Sequence, residues 1–200
     1  MKSAISLPTD MCIIVTYRCP MQCQMCNIWQ NPTDQHQEIT PMEMERLPKV
    51  KFMNITGGEP FVREDLEEIV EVAFRKSPRV VISTSGWFEE RIIRLAEKFP
   101  KIGIRISIEG LSLKNDELRG RNGGFDKGLR TLLRLKEMGV KDIGFGITVS
   151  NSNSADMLSL YRLSRSLGME FATAALIHII FIKQITQLLT KQKFVEISVN

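Results

Sequence analysis

The sequence predicts an α/β fold in which repeated βα units build a parallel sheet. Two observations indicate this fold. Short runs rich in β-branched residues alternate with stretches of helical periodicity about every 25–40 residues. Most of the runs also end in a turn that contains glycine or polar residues. With 43% hydrophobic and 25% charged residues in a chain of 200, the composition is that of one ordinary globular domain.

The predicted strands are short and mostly apolar instead of strictly alternating, which is typical of strands buried in a parallel sheet. They cover residues 12–17, 51–56, 79–84, 102–108, 143–149 and 170–174. Because Cys12 lies inside the first apolar run, we expect it to pack as a small hydrophobic residue. Periodicity alone leaves open whether the sheet is flat or curls into a partial barrel.

The predicted helices lie between these strands. Thr40 and Glu43 match a capping box with Pro41 at the first helical position, which predicts a short helix. Apolar residues recur at helical spacing in four further stretches, around residues 64–76, 92–99, 125–139 and 157–168. Residues 30–38 and 111–124 are polar and are predicted to be loops.

The most informative motif follows the first predicted strand. Cys19, Cys23 and Cys26 have the spacing C-x3-C-x2-C and are three of the four cysteines in the chain. An odd number of thiols cannot all form disulfides within this segment, but the three can converge on one metal centre. Thiolates favour iron–sulfur clusters, zinc or copper(I). A structural zinc site with Cys12 or His36 as fourth ligand is one alternative.

Other candidate residues follow the next three predicted strands. In parallel βα folds, functional groups gather at the carboxyl ends of the strands. The sequence places Gly57-Gly58-Glu59-Pro60 after the second strand, Ser83 and Ser85 at the end of the third, and Ser107 and Glu109 at the end of the fourth. One rim of the sheet is therefore predicted to carry metal ligands, a glycine turn, hydroxyls and carboxylates.

These motifs together resemble those of the radical S-adenosylmethionine (SAM) superfamily, over residues 10–175. The resemblance implies a parallel (β/α)6 partial TIM-like barrel, with a core domain over residues 1–175. It also implies that Cys19, Cys23 and Cys26 hold a [4Fe–4S] cluster whose fourth iron chelates SAM. In this family an electron from the cluster cleaves SAM to a 5′-deoxyadenosyl radical, which abstracts hydrogen from a substrate. The cofactor then supplies the radical and the protein supplies its position.

The resemblance assigns roles to the remaining candidates. The glycine turn, with Glu59, matches the region that holds the SAM amino group, and Arg119 matches an arginine that faces the SAM carboxylate. Ser107 and Glu109 match contacts to the ribose, Ser83 and Ser85 lie where polar groups near SAM are common, and residues 147–149 resemble the stretch that passes the adenine. The implied SAM-binding residues are Gly57, Gly58, Glu59, Pro60, Ser83, Ser85, Ser107, Glu109 and Arg119.

The composition indicates which classes of binding partner and which cellular location to expect. A net charge of +4 without a polybasic tract gives no indication of nucleic acid binding. No signal-peptide pattern or membrane-spanning apolar run is present, so we expect a cytoplasmic protein. The resemblance also implies that it takes electrons from a reductant such as flavodoxin or ferredoxin. Residues 176–200 form an atypical tail, which is either an amphipathic helix or a truncated or frame-disrupted end. An inactive truncated fragment and a structural zinc module are the alternative functions.

Overall fold

A computed structural model describes residues 8–175 of the chain. Six parallel strands form one sheet in the order β1-β2-β3-β4-β5-β6. The strands are β1 (Asp10–Ile14), β2 (Phe52–Thr56), β3 (Arg79–Thr84), β4 (Gly103–Ser107), β5 (Ile143–Val149) and β6 (Glu170–Ala175). The sheet curls into a half-barrel, which confirms the predicted parallel (β/α)6 partial TIM-like barrel. The expected tail, residues 176–200, lies outside the described residues.

Helices cover the convex face of the sheet. They are α1 (Pro41–Met44), α2 (Leu66–Lys76), α3 (Glu89–Lys98), α4 (Ser112–Arg119), α5 (Gly124–Glu137) and α6 (Met157–Ser166). The predicted capping box of α1 is present, with Thr40 and Glu43 bonded reciprocally. Among the described residues, no helix is both long enough and apolar enough to cross a membrane.

Helix α4 corrects the prediction of a loop over residues 111–124. Its buried positions include Asn115 and Arg119, while Leu113 is 84% exposed. The helix therefore buries polar groups against the rim of the sheet and turns an apolar residue outward. Because two of its three buried residues are polar, with Leu118 as the one apolar member, apolar periodicity could not reveal it. It ends at Gly120, whose φ of 64° is the left-handed conformation that glycine adopts without strain.

The two faces of the sheet differ in polarity. Ile55, Ile82 and Ile104 point to the helical side and are fully buried in the core. The concave side carries smaller and polar residues, among them Asn54 and Ser83, which line an internal cavity. The alternation of strand residues thus separates an apolar layer from a polar interior.

Strand β1 is less buried than predicted. Its Ile14 is 51% exposed, and Cys12 is an exposed free thiol instead of a packed hydrophobic residue. The amide nitrogen of Asn54 lies 3.8 Å from the Cys12 sulfur. Since β1 pairs only with β2 among residues 8–175, the concave side of this strand has no covering layer.

Four charged residues close the amino-terminal end of the concave face. Arg105, 7% exposed, donates to the backbone oxygen of Asp142 at 3.0 Å and pairs with the carboxylates of Asp142 and Glu170. Arg79 Nε lies 2.9 Å from Asp142 Oδ2. The concave cavity is therefore lined by ion-paired residues at its base, opposite the rim where the strands end.

Candidate active site

The carboxyl ends of the strands surround a cavity of about 200 Å³. Its walls include all three motif cysteines, both glycines of the turn after β2, and Arg119 from α4. It adjoins the concave cavity of about 370 Å³, because Ser83, Ser107, Glu109 and Thr148 line both. The structure thus brings the predicted site residues together on one connected space. Glu59 and Pro60 are exceptions, since both are buried but neither lines a described cavity.

The cysteine loop, residues 19–26, rests on the carboxyl end of α4. Gln22 N donates to Arg119 O at 3.1 Å, and Gln24 N donates to Leu118 O at 2.8 Å. A helix leaves its last carbonyls without partners, and here the loop supplies them. Gly120 allows this approach, because a Cβ there would lie 2.5 Å from Gln22 O. Helix α4, which the sequence did not predict, therefore supports the cysteine loop.

The three thiols differ in exposure. Cys19 and Cys23 are partly buried, and Cys26 is exposed. Burial raises the pKa of the Cys19 thiol to about 11 and also raises the pKa of Cys23, while the Arg119 guanidinium opposes both shifts. Within residues 8–175, no three His, Cys, Asp or Glu side chains lie close enough together to hold a single metal ion.

The glycine turn packs directly against the chain that precedes Cys19. Gly58 N donates to Thr16 O at 2.7 Å, and Glu59 N donates to Arg18 O at 2.9 Å. A Cβ on Gly57 would lie 2.3 Å from Thr16 O, and a Cβ on Gly58 would lie 2.4 Å from Arg18 O. No side chain fits at either position, so both glycines are needed for the turn to lie beside the cysteine loop.

Glu59 joins this turn to the end of β3. Its carboxylate is fully buried and accepts hydrogen bonds from Thr84 Oγ1 at 2.8 Å, Ser85 N at 2.7 Å and Phe61 N at 3.1 Å, as well as from Ser85 Oγ. Four donors from the protein occupy much of the accepting capacity of one carboxylate. The side chain of Glu59 therefore fixes the position of the turn. The predicted contact of this region with the SAM amino group stays a prediction.

Glu109 and Arg119 form a buried ion pair at the opposite wall. Arg119 Nη1 lies 3.2 Å from Glu109 Oε1, and Thr148 N donates to Glu109 Oε2 at 2.7 Å. Burial raises the pKa of Glu109, and Arg119 acts against that shift. Among the described residues, Arg119 Nε is the one buried side-chain atom without a hydrogen-bond partner. An unpaired buried donor is costly, so this N–H favours an acceptor that the protein itself does not provide.

Both tryptophans have contacts that sequence reasoning did not foresee. Trp29 lines the cavity, and its Nε1 lies 3.3 Å from Cys23 O. Trp87 lies against two cations, Arg121 and Lys127. The position of Trp29 three residues after Cys26 was a usable signal. The contacts of Trp87 depend on tertiary structure and left no pattern in the sequence.

The model of the Radical SAM superfamily matches residues 13–163. The chain belongs to the radical SAM superfamily. The match spans most of the chain, including the cysteine loop, the glycine turn and strands β2 to β5. The cofactors implied by the sequence, a [4Fe–4S] cluster and SAM, are those of this superfamily.

Curated relatives agree with this membership. The chain is 31% identical over 161 residues to the Fe-coproporphyrin III synthase of Methanosarcina barkeri, covering 74% of this chain and 39% of the relative. It is 31% identical over 170 residues to the GTP 3′,8-cyclase of Aquifex aeolicus, covering 78% of this chain and 53% of the relative. The radical SAM chain therefore spans about half the length, or less, of these relatives.

The fold also matches a solved structure. Streptococcus suis SuiB bound to S-adenosylmethionine aligns with a TM-score of 0.72 at 16% identity, covering 94% of this chain and 49% of that chain. At this identity the likeness concerns the fold alone. The half-barrel of this radical SAM protein therefore has the same fold as part of that solved structure.

Proposed function

We propose that this chain holds a [4Fe–4S] cluster on Cys19, Cys23 and Cys26 and binds SAM beside it for reductive cleavage. When bound, these groups supply a one-electron cleavage that yields a 5′-deoxyadenosyl radical for hydrogen abstraction. The observation that carries the proposal is the shared cavity, whose lining includes the three motif cysteines and Arg119, a residue whose buried Nε has no hydrogen-bond partner among residues 8–175.

The residues present fit the two cofactors. Iron–sulfur clusters are held by cysteine thiolates, and a [4Fe–4S] cluster has four positions for them. Three cysteines in the loop leave one position for SAM. The Arg119 guanidinium carries positive charge and a free N–H, which suits an anionic group such as the SAM carboxylate. The glycine turn exposes backbone to the cavity, as a close approach to a ligand requires.

The remaining site residues receive roles from their positions. We assign Ser107 and Glu109 to the ribose side, because both line the two adjoining cavities. Ser83 and Ser85 lie on the same wall, where Ser83 Oγ donates to Asn54 Oδ1 at 3.0 Å and Ser85 Oγ donates to Glu59. Glu59 and Pro60 hold the glycine turn from behind the cavity, and residues 147–149 form the adenine side.

A structural zinc site is the first alternative. Zinc in such a site is bound by four ligands in one tetrahedron, at Zn–S distances of about 2.3 Å. The fourth ligand would have to be Cys12 or His36, and neither lines the cavity that the three motif cysteines share. A [4Fe–4S] cluster needs no fourth protein ligand when SAM occupies the remaining position. The lining of the cavity therefore favours the cluster.

The second alternative is a fragment that keeps the cluster and lacks a substrate-binding part. This alternative is consistent with the lengths of the relatives, since this chain spans 39% of the Fe-coproporphyrin III synthase and 53% of the GTP 3′,8-cyclase. We propose that residues 1–175 form the cofactor-binding core and that residues 176–200 are an atypical tail. We propose that the substrate is an organic molecule with an abstractable hydrogen.

The test combines iron analysis with SAM cleavage. After anaerobic reconstitution we expect about four irons and four sulfides per chain, whereas a zinc module would contain neither. With dithionite and SAM, the loaded protein should release 5′-deoxyadenosine. A colourless, iron-free chain contradicts cluster binding. An iron-loaded chain that releases no 5′-deoxyadenosine contradicts the enzymatic proposal and favours the inactive fragment.

Electron supply and location complete the proposal. We propose flavodoxin or ferredoxin as the physiological reductant and a reducing, cytoplasmic compartment as the location. All four cysteines are free in the structure, as a reducing compartment would keep them.

A further inference from the structure

Arg121 contacts the first half of the cysteine loop from outside the cavity. Its Nη1 donates to Pro20 O at 2.7 Å, and Pro20 directly follows Cys19. Among residues 8–175, Arg121 is the one residue outside the cysteine loop whose side chain forms a hydrogen bond to the backbone of residues 19–21. The second half of the loop has a different support, because the carbonyls of α4 accept from Gln22 and Gln24.

The guanidinium of Arg121 is itself held in place by Trp87. Its Cζ lies 4.1 Å from the centroid of the Trp87 ring, and Lys127 Nζ lies 4.1 Å from the same centroid. In the described part of the chain, neither cation forms an ion pair. Stacking on an indole orients the planar guanidinium and leaves its N–H groups free to donate in a fixed direction.

Three separate segments meet at this point. Trp87 follows the end of β3, Arg121 follows Gly120 at the end of α4, and Pro20 belongs to the cysteine loop. The α4 carbonyls and the Arg121 side chain therefore both contribute to the position of Cys19 relative to Cys23, beside the contact of the glycine turn with Arg18. Cys19 and Cys23 both line the cavity, whereas Arg121 does not.

We propose that Arg121 is a positioning residue for the cluster, acting through the Pro20 carbonyl with Trp87 as its platform. The inference rests on the proposed function, because it assigns the residue to the placement of cluster ligands. Arg121 does not line the cavity proposed for the cofactors. Its hydrogen bond to the Pro20 carbonyl fixes the peptide next to Cys19, so that the Cys19 thiol keeps its position when the loop binds the cluster.

The first test measures release of iron to a chelator from the reconstituted full chain. Arg121→Gln removes the charge and the planar fork, and we expect release to become about tenfold faster, as the loss of one charge-assisted hydrogen bond implies. Lys127→Gln is the matched control, because it removes a cation from the same ring without a contact to the loop. It should release iron at the wild-type rate. An unchanged rate in Arg121→Gln, or equal acceleration in Lys127→Gln, overturns the proposal.

The second test needs no cluster. Trypsin cleaves after arginine, and Arg18 directly precedes Cys19, so cleavage of the Arg18–Cys19 bond in the metal-free chain reports how firmly the loop is held. We expect faster cleavage in Arg121→Gln and wild-type cleavage in Lys127→Gln, with matched circular dichroism spectra. Equal cleavage in all three chains overturns the proposal.

The two tests separate this inference from the proposed function. If the wild-type chain takes up no iron, the proposed function fails, while the cleavage comparison still decides whether Arg121 holds the loop. If Arg121→Gln does not fold, Arg121→Lys replaces it. Lysine keeps the charge and lacks the planar fork, so both rates should again rise, and wild-type rates in that variant overturn the proposal.

Discussion

Individual atoms matter most at the cysteine loop, where each thiol has a different setting. Cys23 lines the cavity and has Arg119 nearby, whereas Cys12 lies on the concave face of β1, outside the residues that line it. We expect Cys23→Ala to abolish cluster binding, because two thiolates of the loop cannot hold the cluster alone. Iron analysis after anaerobic reconstitution measures this. Cys12→Ala is the control and should keep its full iron content. Full iron in Cys23→Ala would refute the ligand assignment.

Gly58 illustrates a position where one methyl group has a large effect. A Cβ there would meet Arg18 O at 2.4 Å and Tyr17 O at 2.8 Å, and both are backbone atoms that cannot move alone. We expect Gly58→Ala to lower the free energy of unfolding by about 2 kcal/mol, as overpacking does. Thermal unfolding of the metal-free chain measures the change. Gly146→Ala is the comparison, because its Cβ would meet only Ile106 O, at 4.0 Å. Equal melting temperatures would contradict the close packing of the turn.

Between elements, Glu38 connects the chain before the cysteine loop to the segment that precedes α1. Its buried carboxylate accepts from Arg18 Nε at 2.9 Å and Thr33 Oγ1 at 2.8 Å, and also from Thr16 Oγ1. Burial tends to raise the pKa of Glu38, but the hydrogen bonds from Arg18, Thr16 and Thr33 together lower it below its usual value. The carboxylate form is therefore bound more favourably in the folded chain than in the unfolded one.

The lowered pKa of Glu38 determines whether the stability of the fold rises or falls with pH. A carboxyl group with a lowered pKa stabilises the fold above its unfolded pKa of about 4.3 and loses that contribution as the pH falls through the folded pKa. We expect Glu38→Gln to cost about 3 kcal/mol at pH 7, because Arg18 and Arg63 lose a buried partner. Urea unfolding at pH 7 and pH 3 measures this, and the difference from wild type should shrink at pH 3. Glu68 is exposed, so Glu68→Gln should have the same free energy of unfolding as wild type at both pH values. A constant difference would show that charge is not the cause.

At the scale of the whole molecule, the ion pairs at the base join β3, β4 and β6 to the residue before β5. Arg105 is nearly buried, whereas the Arg79 side chain is 50% exposed, although both pair with Asp142. We expect Arg105→Met to lower the free energy of unfolding by about 3 kcal/mol, since it leaves Asp142 without its buried partner. Arg79→Met should cost at most about 1 kcal/mol, as exposed pairs do. Equal losses in chemical unfolding would show that burial does not decide the contribution.

The sequence predicted those parts of the molecule whose signals are local. Runs of β-branched residues marked the strands, and the spacing of Cys19, Cys23 and Cys26 marked the rim. Helix α4 was missed because Asn115 and Arg119 occupy its buried face, where periodicity looks for apolar residues. The donors to Glu59 could not be predicted, since Thr84 and Ser85 come from a neighbouring strand. Contacts of this kind depend on register, which sequence spacing does not specify.

The placement of the tryptophans gives this chain an optical reporter of its own. Trp29 donates to Cys23 O, and Trp87 carries the arginine that bonds to Pro20, so both indoles of the protein monitor one loop. Fluorescence excited selectively in indole therefore comes from these two side chains alone. Loading with iron should quench that emission, and chelation should restore it, without any attached dye.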